Sequence, residues 1–506
     1  HGCNGIFDDL AINPNQPSMG AYFTSPSAVN DAVMTMYGYM STQRCLGASG
    51  SKTTIIRSDE ASSNSDYGKP GMFGADLNAS YYTIEQPYTL MYTTASQASY
   101  IIETAPSVDF SGNEELRNAY MGEAYFWRAF AHYYLLINFR NISPIRQMPR
   151  NGDDYVRPLE KPAAVWNFIQ EDLAHAKELL PVKGYWDSKN AGRVTKASAA
   201  ALLGKAYLYR SGIEQYYGED KTTFYSEAAK EFGDVIDGKY GTYDLTKNYA
   251  DNFDVAHENN EESILEFQFL GDVDNAGFNP GLATSGLAFD SRGLMLPGAG
   301  VGYEGVVHNW LYNAFVNSVD KDGYTDIRMF STMIFNDLDA SIHLRNDAGG
   351  NPVRLEGPGG YKWEELYPAK NGKEGFATVS NPLAHSFKAG IRKGIDCSMP
   401  TQTEADGTPK LVGVGAGVKE YVYNQPRAHG VNWRYIRYAD VLMMYAEAIV
   451  SGGTQASNMT PLQAVNKVRG RVNMSELPSV TMTDIQNERI LEFALEGHRF
   501  YDLLRW

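Results

Sequence analysis

YIRYADVLMMYAEA, residues 435–448, is the stretch of sequence that decides the fold. Its apolar side chains recur three and four residues apart, which predicts a helix with one buried face. A second helix opens with Thr460-Pro461-Leu462-Gln463, a capping box with proline at the first helical position. A further capping box, Thr483-Asp484-Ile485-Gln486, predicts one final helix with an apolar face formed by Ile490, Phe493, Ala494, Gly497, Tyr501 and Leu504.

Four amphipathic helices are predicted farther upstream, between about residues 116 and 240. The first carries the apolar residues Phe126, Phe130, Tyr133 and Ile137 at helical spacing, and Pro181 closes the second. The third is the alanine-rich run from Lys196 to Tyr209, whose small side chains let a neighbouring helix approach closely. The fourth includes the apolar residues Ala228, Phe232, Val235 and Ile236. Paired helices of this kind are typical of tetratricopeptide-like repeats.

The rest of the chain has a different texture. Clusters of glycine occur at residues 357–360 and 413–417, so residues 41–115 and 243–434 are predicted to be loop-rich. Ile264 to Leu270 alternates partly between apolar and polar residues and predicts one short strand. The fold class is therefore mainly all-α, with the helical scaffold at about residues 116–240 and 435–506 enclosing an irregular middle.

Composition excludes several classes of protein. A net charge of −16 in 506 residues argues against sequence-independent binding to nucleic acid, which needs a basic surface. The three cysteines, Cys3, Cys45 and Cys397, are too few for a disulfide framework. No run of about 18 apolar residues is present to cross a bilayer. An aromatic content of 12% suits recognition of sugars, because tyrosine and tryptophan combine an apolar face with a polar group.

Three ordered blocks at the C-terminal end closely resemble the SusD/RagB signature: residues 435–448, AVNKVRGRV at 464–472 and ERILEFALEGHRFYDLLRW at 488–506. GEAYFWRAFAHYYLLINF at 122–139, FIQEDLAHAKELLP at 168–181 and GRVTKASAAALLGKAYLY at 192–209 resemble the repeat helices of that family in the expected order. Residues 140–144 depart from its usual turn. Family members usually continue past the final Arg-Trp pair, so we expect the sequence to be incomplete at that end.

The resemblance implies a single domain over residues 1–506, a fold of tetratricopeptide-like helix pairs with an irregular region packed against them. It also implies a protein that binds oligosaccharides or polysaccharides without chemistry, cofactor or metal. Such proteins are lipid-anchored on the outer face of the outer membrane in Bacteroidetes, which makes Cys3 the expected site of lipidation. They deliver the ligand to a SusC-like TonB-dependent transporter.

Two variable stretches contain the candidate ligand-binding residues. The first is the polar loop RSDEASSNSDYG, residues 57–68, with the tyrosines that follow it. Carboxylates and amides exchange hydrogen bonds with sugar hydroxyls, and aromatic rings provide a flat apolar platform. The second stretch lies between residues 292 and 310. The candidates are Asp59, Glu60, Asn64, Asp66, Tyr67, Tyr81, Tyr82, Arg292, Tyr303 and Trp310, and core packing is the alternative role for each aromatic residue.

Three other functions remain open. The same fold captures peptides in some members, and nothing in the sequence separates that function from glycan capture. An α-helical glycosidase would need two catalytic carboxylates, and the acidic residues of the C-terminal helix are candidates. The three-residue spacing of Glu496, Arg499 and Asp502 instead indicates ion pairs within that helix. A scaffold of helical repeats without a small ligand is the third alternative.

Overall fold

The computed structural model describes residues 23–42, 45–47, 52–62, 80–148, 156–218, 221–269, 306–354, 388–393, 411–413, 419–421 and 431–506. The helices of these residues follow one another along the chain as α1 Pro26–Ser41, α2 Tyr82–Thr104, α3 Glu114–Phe139, α4 Pro162–Leu179, α5 Lys196–Tyr217, α6 Tyr225–Ile236, α7 Asn309–Val316, α8 Arg328–Thr332, α9 Tyr438–Val450, α10 Pro461–Arg471, α11 Met482–Glu492 and α12 Arg499–Arg505. Consecutive long helices pack against one another, as the sequence predicts.

Short strands join the helical ends of the chain. They are β1 Ala61–Ser62, β2 Ser263–Phe267, β3 Val306–Val307, β4 Met333–Phe335, β5 Ala389–Ile391, β6 Leu411–Gly413, β7 Lys419–Tyr421 and β8 Trp433–Arg437. One antiparallel sheet has the order β1-β3-β5-β4, whereas β2 pairs with β8 and β6 pairs with β7. β2 confirms the predicted strand and brings the middle of the chain against the start of the C-terminal helices.

The four predicted upstream helices are confirmed as α3 to α6. α3 begins where the Asn113 side chain accepts the Leu116 N–H (3.1 Å), and it buries Phe126, Trp127 and Phe130. α5 extends to Tyr217, eight residues beyond the predicted end at Tyr209.

Glycine explains both the length of α5 and its close packing. A Cβ at position 212 would lie 2.3 Å from the Arg505 carbonyl oxygen, so Gly212 lets the helix continue beside α12. A Cβ at position 204 would lie 2.7 Å from the Phe232 ring of α6. Glycine weakens an isolated helix, so packing against neighbours determines how far this helix extends.

The prediction of a loop-rich stretch over residues 41–115 is wrong for α2, which runs for 23 residues. Pro87 stands inside this helix and removes one intrahelical donor. The helix is rich in threonine and serine, which have modest helix propensity. Extensive packing of α2 against α3 stabilises the helix despite these local preferences.

The C-terminal helices confirm α9 and the capping box of α10, in which Thr460 and Gln463 bind each other's main-chain N–H groups. The prediction of one final helix starting at Thr483 is wrong. Thr481 is the N-cap, because its side chain accepts the Asp484 N–H and the Asp484 carboxylate accepts the Thr481 N–H. α11 ends at Glu492, and α12 begins only at Arg499.

The turn between α11 and α12 has left-handed backbone at Leu495 (φ 62°) and Gly497 (φ 86°). A Cβ at position 497 would lie 2.6 Å from Thr54 Oγ1, so glycine allows residues 52–56 to pack closely here. The turn also directs Glu496 away from α12 and towards Arg437, at the end of β8. The acidic residues of this region therefore face other elements of the fold.

Arg437 is the centre of a buried ion-pair network and is fully buried. Its guanidinium donates to Glu492 (2.6 Å), Glu496 (2.9 Å) and Glu262 (3.2 Å), which lies just before β2. Arg328, also fully buried, donates to Glu488 (2.5 Å) and Glu492 (3.0 Å). The predicted ion pairs within one helix are therefore wrong for Glu496 and Arg499, although Asp502 does pair with Arg505 within α12.

The charged groups of this network can be buried only because its carboxylates and guanidinium groups neutralise one another. Burial alone would raise the pKa of Glu492, but the guanidinium groups of Arg471, Arg437 and Arg328 hold it well below its ordinary value. A buried charge without its partner is strongly destabilising, because neither water nor a counter-charge then solvates it. The network therefore fixes β2, β8, α8, α10 and α11 relative to one another.

Glu60 fastens the segment before β1 to the turn after α11. One carboxyl oxygen accepts the main-chain N–H of Leu495 (3.0 Å), and the other lies 3.3 Å from the Ser58 hydroxyl. The single hydroxyl hydrogen of Ser58 is directed to the Ile55 carbonyl oxygen (2.6 Å). A protonated Glu60 carboxyl therefore fits this site, because it can donate to Ser58.

The electrostatic surroundings agree with that protonation state. Burial raises the pKa of Glu60 to about 8, although the Leu495 N–H and the charges of Lys393 and Arg499 act in the opposite direction. The side chain is only 1% exposed. The carboxyl group is thus mainly protonated at neutral pH in the folded protein.

Replacing Arg437 with methionine should lower the free energy of unfolding by about 3–5 kcal/mol, because three carboxylates lose their shared partner. Denaturant titration measures the change. The matched control is Arg117→Met, which breaks the exposed Arg117–Glu114 pair and should change stability by less than about 1 kcal/mol. Equal effects of the two substitutions would contradict the network's role.

Replacing Glu60 with glutamine should remove a pH dependence of stability. In the unfolded chain a glutamate ionises near its ordinary pKa of 4.5, whereas folded Glu60 stays protonated up to about pH 8. The native protein therefore loses stability relative to Glu60→Gln as pH rises from about 4.5 to 8, by up to about 5 kcal/mol. Unfolding at pH 4 serves as the internal control, because the Glu60 carboxyl is mainly protonated at that pH in both the folded and the unfolded protein. If stability changed equally with pH in the native protein and in Glu60→Gln across this range, Glu60 would be ionised in the folded protein, which would contradict the prediction.

Candidate ligand-binding edge

The two candidate stretches meet at the edge of the four-stranded sheet. Residues 61–62 of β1 pair antiparallel with residues 306–307 of β3. Asp59 precedes β1 and Trp310 follows β3, so two candidates that are 251 positions apart in sequence become neighbours. We name the surface formed by Asp59, Trp310 and Arg499 the β1–β3 edge.

Trp310 is held in place by the main chain. Its indole Nε1 donates to the Asp59 carbonyl oxygen, which also accepts a hydrogen bond from His308 Nδ1 (2.8 Å). Because a carbonyl oxygen only accepts, His308 carries a hydrogen on Nδ1, and its Nε2 lies beside the Ser62 hydroxyl. Trp310 stands in the first turn of α7 and is half-buried.

Arg499 connects the edge to the C-terminal helices. Its guanidinium makes a two-pronged contact with the Asp59 carboxylate at 2.8 and 2.9 Å and lies 5.4 Å from the centre of the Trp310 ring. Burial opposes the charged form, but the hydrogen bonds and charge of Asp59 raise the pKa of Arg499 above its ordinary value. The Asp59 side chain remains 44% exposed, whereas that of Arg499 is 14% exposed.

This arrangement offers two chemically different surfaces side by side. An indole ring supplies a flat apolar face, and an exposed carboxylate accepts hydrogen bonds. Ligand sites commonly combine apolar walls with a few placed polar groups. The β1–β3 edge therefore suits a ligand that carries both C–H faces and hydroxyl groups.

The sequence did not reveal every residue of this region. The spacing of its acidic neighbours predicts that Arg499 forms ion pairs within its helix, and no sequence pattern indicates a role for His308. Arg57 lies 3.9 Å above the centre of the Phe500 ring and donates to Asn138 Oδ1 (2.9 Å), which extends the surface towards the end of α3. No local sequence pattern indicates such contacts, because the two residues of each contact are far apart in the chain.

The other candidates have different positions. Glu60 is buried and bound to Leu495, so its carboxyl group is not available to a ligand at this surface. Tyr81 is half-buried and caps the start of α2, where its carbonyl oxygen accepts the N–H groups of Ile84 and Glu85. Tyr82 is the first residue of that helix. Cys3 lies outside the described residues. The remaining candidates also lie outside them: Asn64, Asp66, Tyr67, Arg292 and Tyr303.

Within the described ranges, no group of three or more His, Cys, Asp or Glu residues is arranged to hold a metal ion. The loop at Asp320 begins with the aspartate spacing of a calcium loop, but the Asp320 carboxylate binds groups of the protein itself. That carboxylate accepts the N–H groups of Asp322 (2.8 Å) and Tyr324 (3.1 Å) and pairs with Arg345.

The acidic residues of the C-terminal region do not form an open pair. Glu488, Glu492 and Glu496 are at most 7% exposed, and each forms an ion pair with at least one arginine. A glycosidase requires two carboxyl groups that reach the scissile bond. This geometry differs from that requirement.

No helix in the described part of the chain is long and apolar enough to cross a membrane.

Two family models match this chain. One, described as "SusD family", matches residues 402–506, and the other, described as "Starch-binding associating with outer membrane", matches residues 12–208. A SusD-like protein of Bacteroides ovatus is 25% identical over 512 aligned residues, which cover 100% of this chain and 80% of that protein.

Solved structures share the fold of this chain. A SusD homolog from Bacteroides thetaiotaomicron has a TM-score of 0.68 and 19% identity, with 96% of this chain and 87% of that chain covered. A protein described as "Laminarin binding SusD-like protein" has a TM-score of 0.67 and 23% identity, with coverage of 96% and 92%. These likenesses confirm the predicted mainly α-helical SusD-like fold. The two family models, at the two ends of the chain, confirm the predicted resemblance to the SusD/RagB family.

Proposed function

We propose that this protein captures glycans at the β1–β3 edge and passes them to a SusC-like TonB-dependent transporter. The observation that carries the proposal is the fixed Trp310 ring beside the exposed carboxylate of Asp59. A pyranose ring presents C–H groups to an aromatic face while its hydroxyl groups bind polar atoms at the rim. The laminarin-binding relative supports a glycan as the ligand.

The proposed capture involves no chemical step. The carboxylates that most resemble a catalytic pair are buried in ion pairs with Arg328, Arg437 and Arg469. At the β1–β3 edge, the Asp59 carboxylate is paired with Arg499, and the Trp310 indole binds the main-chain carbonyl oxygen of Asp59. A lone paired carboxylate accepts hydrogen bonds but does not supply the acid and base that hydrolysis needs.

We further propose that the protein acts at the outer face of the outer membrane. The family description of association with the outer membrane and the position of Cys3 support a lipid anchor there. Acyl chains hold a protein at a bilayer through buried CH₂ groups, without a spanning helix. A transporter of the SusC type would then receive the ligand from a protein beside it.

Replacing Trp310 with alanine should weaken glycan binding at least about tenfold, which corresponds to about 1.4 kcal/mol, because the apolar platform is lost. The measurement is titration calorimetry with intact polysaccharides such as laminarin, starch, xylan and mannan, followed by analysis of the recovered ligand for cleavage. Trp310→Phe should retain much of the affinity, since it keeps an aromatic face.

Tyr216→Ala is the matched control, because Tyr216 is 78% exposed on the helical scaffold. It should leave the affinity unchanged. Unaltered binding by a folded Trp310→Ala protein would remove the β1–β3 edge as the site. Binding of a peptide digest instead of any glycan would favour peptide capture, and cleaved products would favour a glycosidase.

A further inference from the structure

We infer that His308 is a positioning residue of the β1–β3 edge, because it joins the segment that carries Asp59 to the helix that carries Trp310. This role rests on the proposed function, since it concerns the geometry of the same site. A positioning residue acts through its neighbours. Here it keeps the Asp59 carboxylate and the Trp310 ring in a fixed arrangement.

His308 stands at the junction of β3 and α7. It directly follows Val307, the last residue of β3, and it is the N-cap of α7, whose first turn contains Trp310. Its carbonyl oxygen accepts the N–H groups of Leu311 (3.0 Å) and Tyr312 (3.2 Å). Leu311 is fully buried, so the first turn of the helix is anchored in the core. Trp310 therefore belongs to a rigid element that begins at His308.

The same residue contacts three positions of the segment that it faces. Its main-chain N–H donates to the Glu60 carbonyl oxygen (2.8 Å), and ring Nδ1 donates to the Asp59 carbonyl oxygen (2.8 Å). Ring Nε2 is within hydrogen-bond distance of the Ser62 hydroxyl group. In the neutral imidazole, a hydrogen on Nδ1 makes Nε2 an acceptor, and the Ser62 hydroxyl donates to it. One residue thus holds both ends of this segment.

The segment depends on such contacts because β1 is only two residues long and its pairing with β3 is correspondingly short. Arg499 binds the Asp59 carboxylate from α12, and this contact fixes the segment relative to the C-terminal helices. The contacts of His308 fix it relative to α7. The aromatic ring and the carboxylate of the edge come from these two different elements, so their relative position depends on that second attachment.

The Asp59 carbonyl oxygen is the point through which His308 acts on Trp310. This oxygen accepts two donors, His308 Nδ1 and the Trp310 indole nitrogen, which together use its two lone pairs. The direction in which His308 holds the carbonyl group therefore sets the position of the indole N–H. Loss of the Nδ1 contact leaves the indole with an acceptor of variable direction. A ring that samples several orientations loses more entropy when a ligand fixes it.

Two substitutions separate the two ring contacts. The amide nitrogen of asparagine is as many bonds from Cα as Nδ1 is, so His308→Asn keeps a donor for the Asp59 carbonyl oxygen. The glutamine amide reaches the position of Nε2, so His308→Gln keeps a partner for Ser62 but loses the donor to Asp59. Each variant loses one ring contact, so a general loss of stability would affect both variants alike.

The orientation of Trp310 is measured first, without any ligand. The full chain is labelled with fluorotryptophan, and the Trp310 fluorine resonance is identified among those of the seven tryptophans by its absence in Trp310→Phe. His308→Gln should shift or broaden this resonance, whereas His308→Asn should leave it near its original position. The other tryptophan resonances should stay unchanged in both variants, which shows that the fold is intact.

Affinity is then measured by titration calorimetry with laminarin, starch, xylan and mannan. For a polysaccharide that the unmodified chain binds, His308→Gln should weaken binding by about threefold to tenfold, the range that one hydrogen bond contributes. His308→Asn should retain most of the affinity. His257→Gln is the matched control and should change neither readout, because the His257 ring is 49% exposed and contacts Asp254 (2.9 Å) instead of the edge.

The results distinguish the positioning role from the proposed function. Equal affinities of His308→Gln and His308→Asn, or a Trp310 resonance that His308→Gln leaves in place, would overturn the positioning role and leave glycan capture standing. If the unmodified chain binds none of the polysaccharides, the proposed function fails. The fluorine spectra still decide in that case whether His308 orients the ring.

Discussion

The buried guanidinium of Arg437 is the constraint on which the rest of the structure depends. A fully buried cation requires partners, and here they come from Glu262 before β2, Glu492 at the end of α11 and Glu496 in the following turn. A strand pair, a helix and a turn must therefore meet at one point. Hydrophobic burial favours a compact arrangement of helices, but it is not directional. The ion pairs add the direction, because each guanidinium donates hydrogen bonds to carboxylates mainly in its own plane.

The turn that this network fixes also places the ligand-binding edge. Leu495 adopts a left-handed conformation, and its N–H group reaches the carboxyl group of Glu60. Arg499 follows four residues later and reaches Asp59. Two successive residues before β1 are thus attached to the two ends of one turn. Trp310 then binds the carbonyl oxygen of Asp59, so the ring takes its position from the scaffold and not from a free loop. A ligand that meets a fixed ring loses less conformational entropy on binding.

Much of the fold could be predicted from the sequence, because the patterns that indicate a helix lie within the helix itself. The spacing of apolar residues in α3 and α9, and the capping box of α10, depend on residues within a few turns of one another. The sequence does not predict α2, because Pro87 and polar residues interrupt its apolar period and the helix is stabilised by packing against α3. The sequence also does not predict the break between α11 and α12. In that break Glu496 turns away from the helix and pairs with Arg437, which is distant in sequence.

The candidate site shows the same limit more sharply. The chemistry of Asp59 and Trp310 makes each a candidate by itself, but no sequence pattern indicates that they meet, since β1 and β3 are two-residue strands. The sequence predicts Glu60 beside Asp59 as a ligand-binding residue, but its side chain is buried, where it binds the distant N–H group of Leu495. Arg499 had acidic neighbours within its own helix at the right spacing. Its actual partner lies 440 positions away, and only the folded chain brings the two together.

The most direct measurement of the central claim is a crystal structure of the full chain with a neutral oligosaccharide that it binds. The account predicts a sugar ring stacked on the Trp310 indole, with at least one hydroxyl group within hydrogen-bond distance of the Asp59 carboxylate and the Asp59–Arg499 pair intact. A ligand bound to the helical scaffold, or one that contacts neither Trp310 nor Asp59, would contradict it.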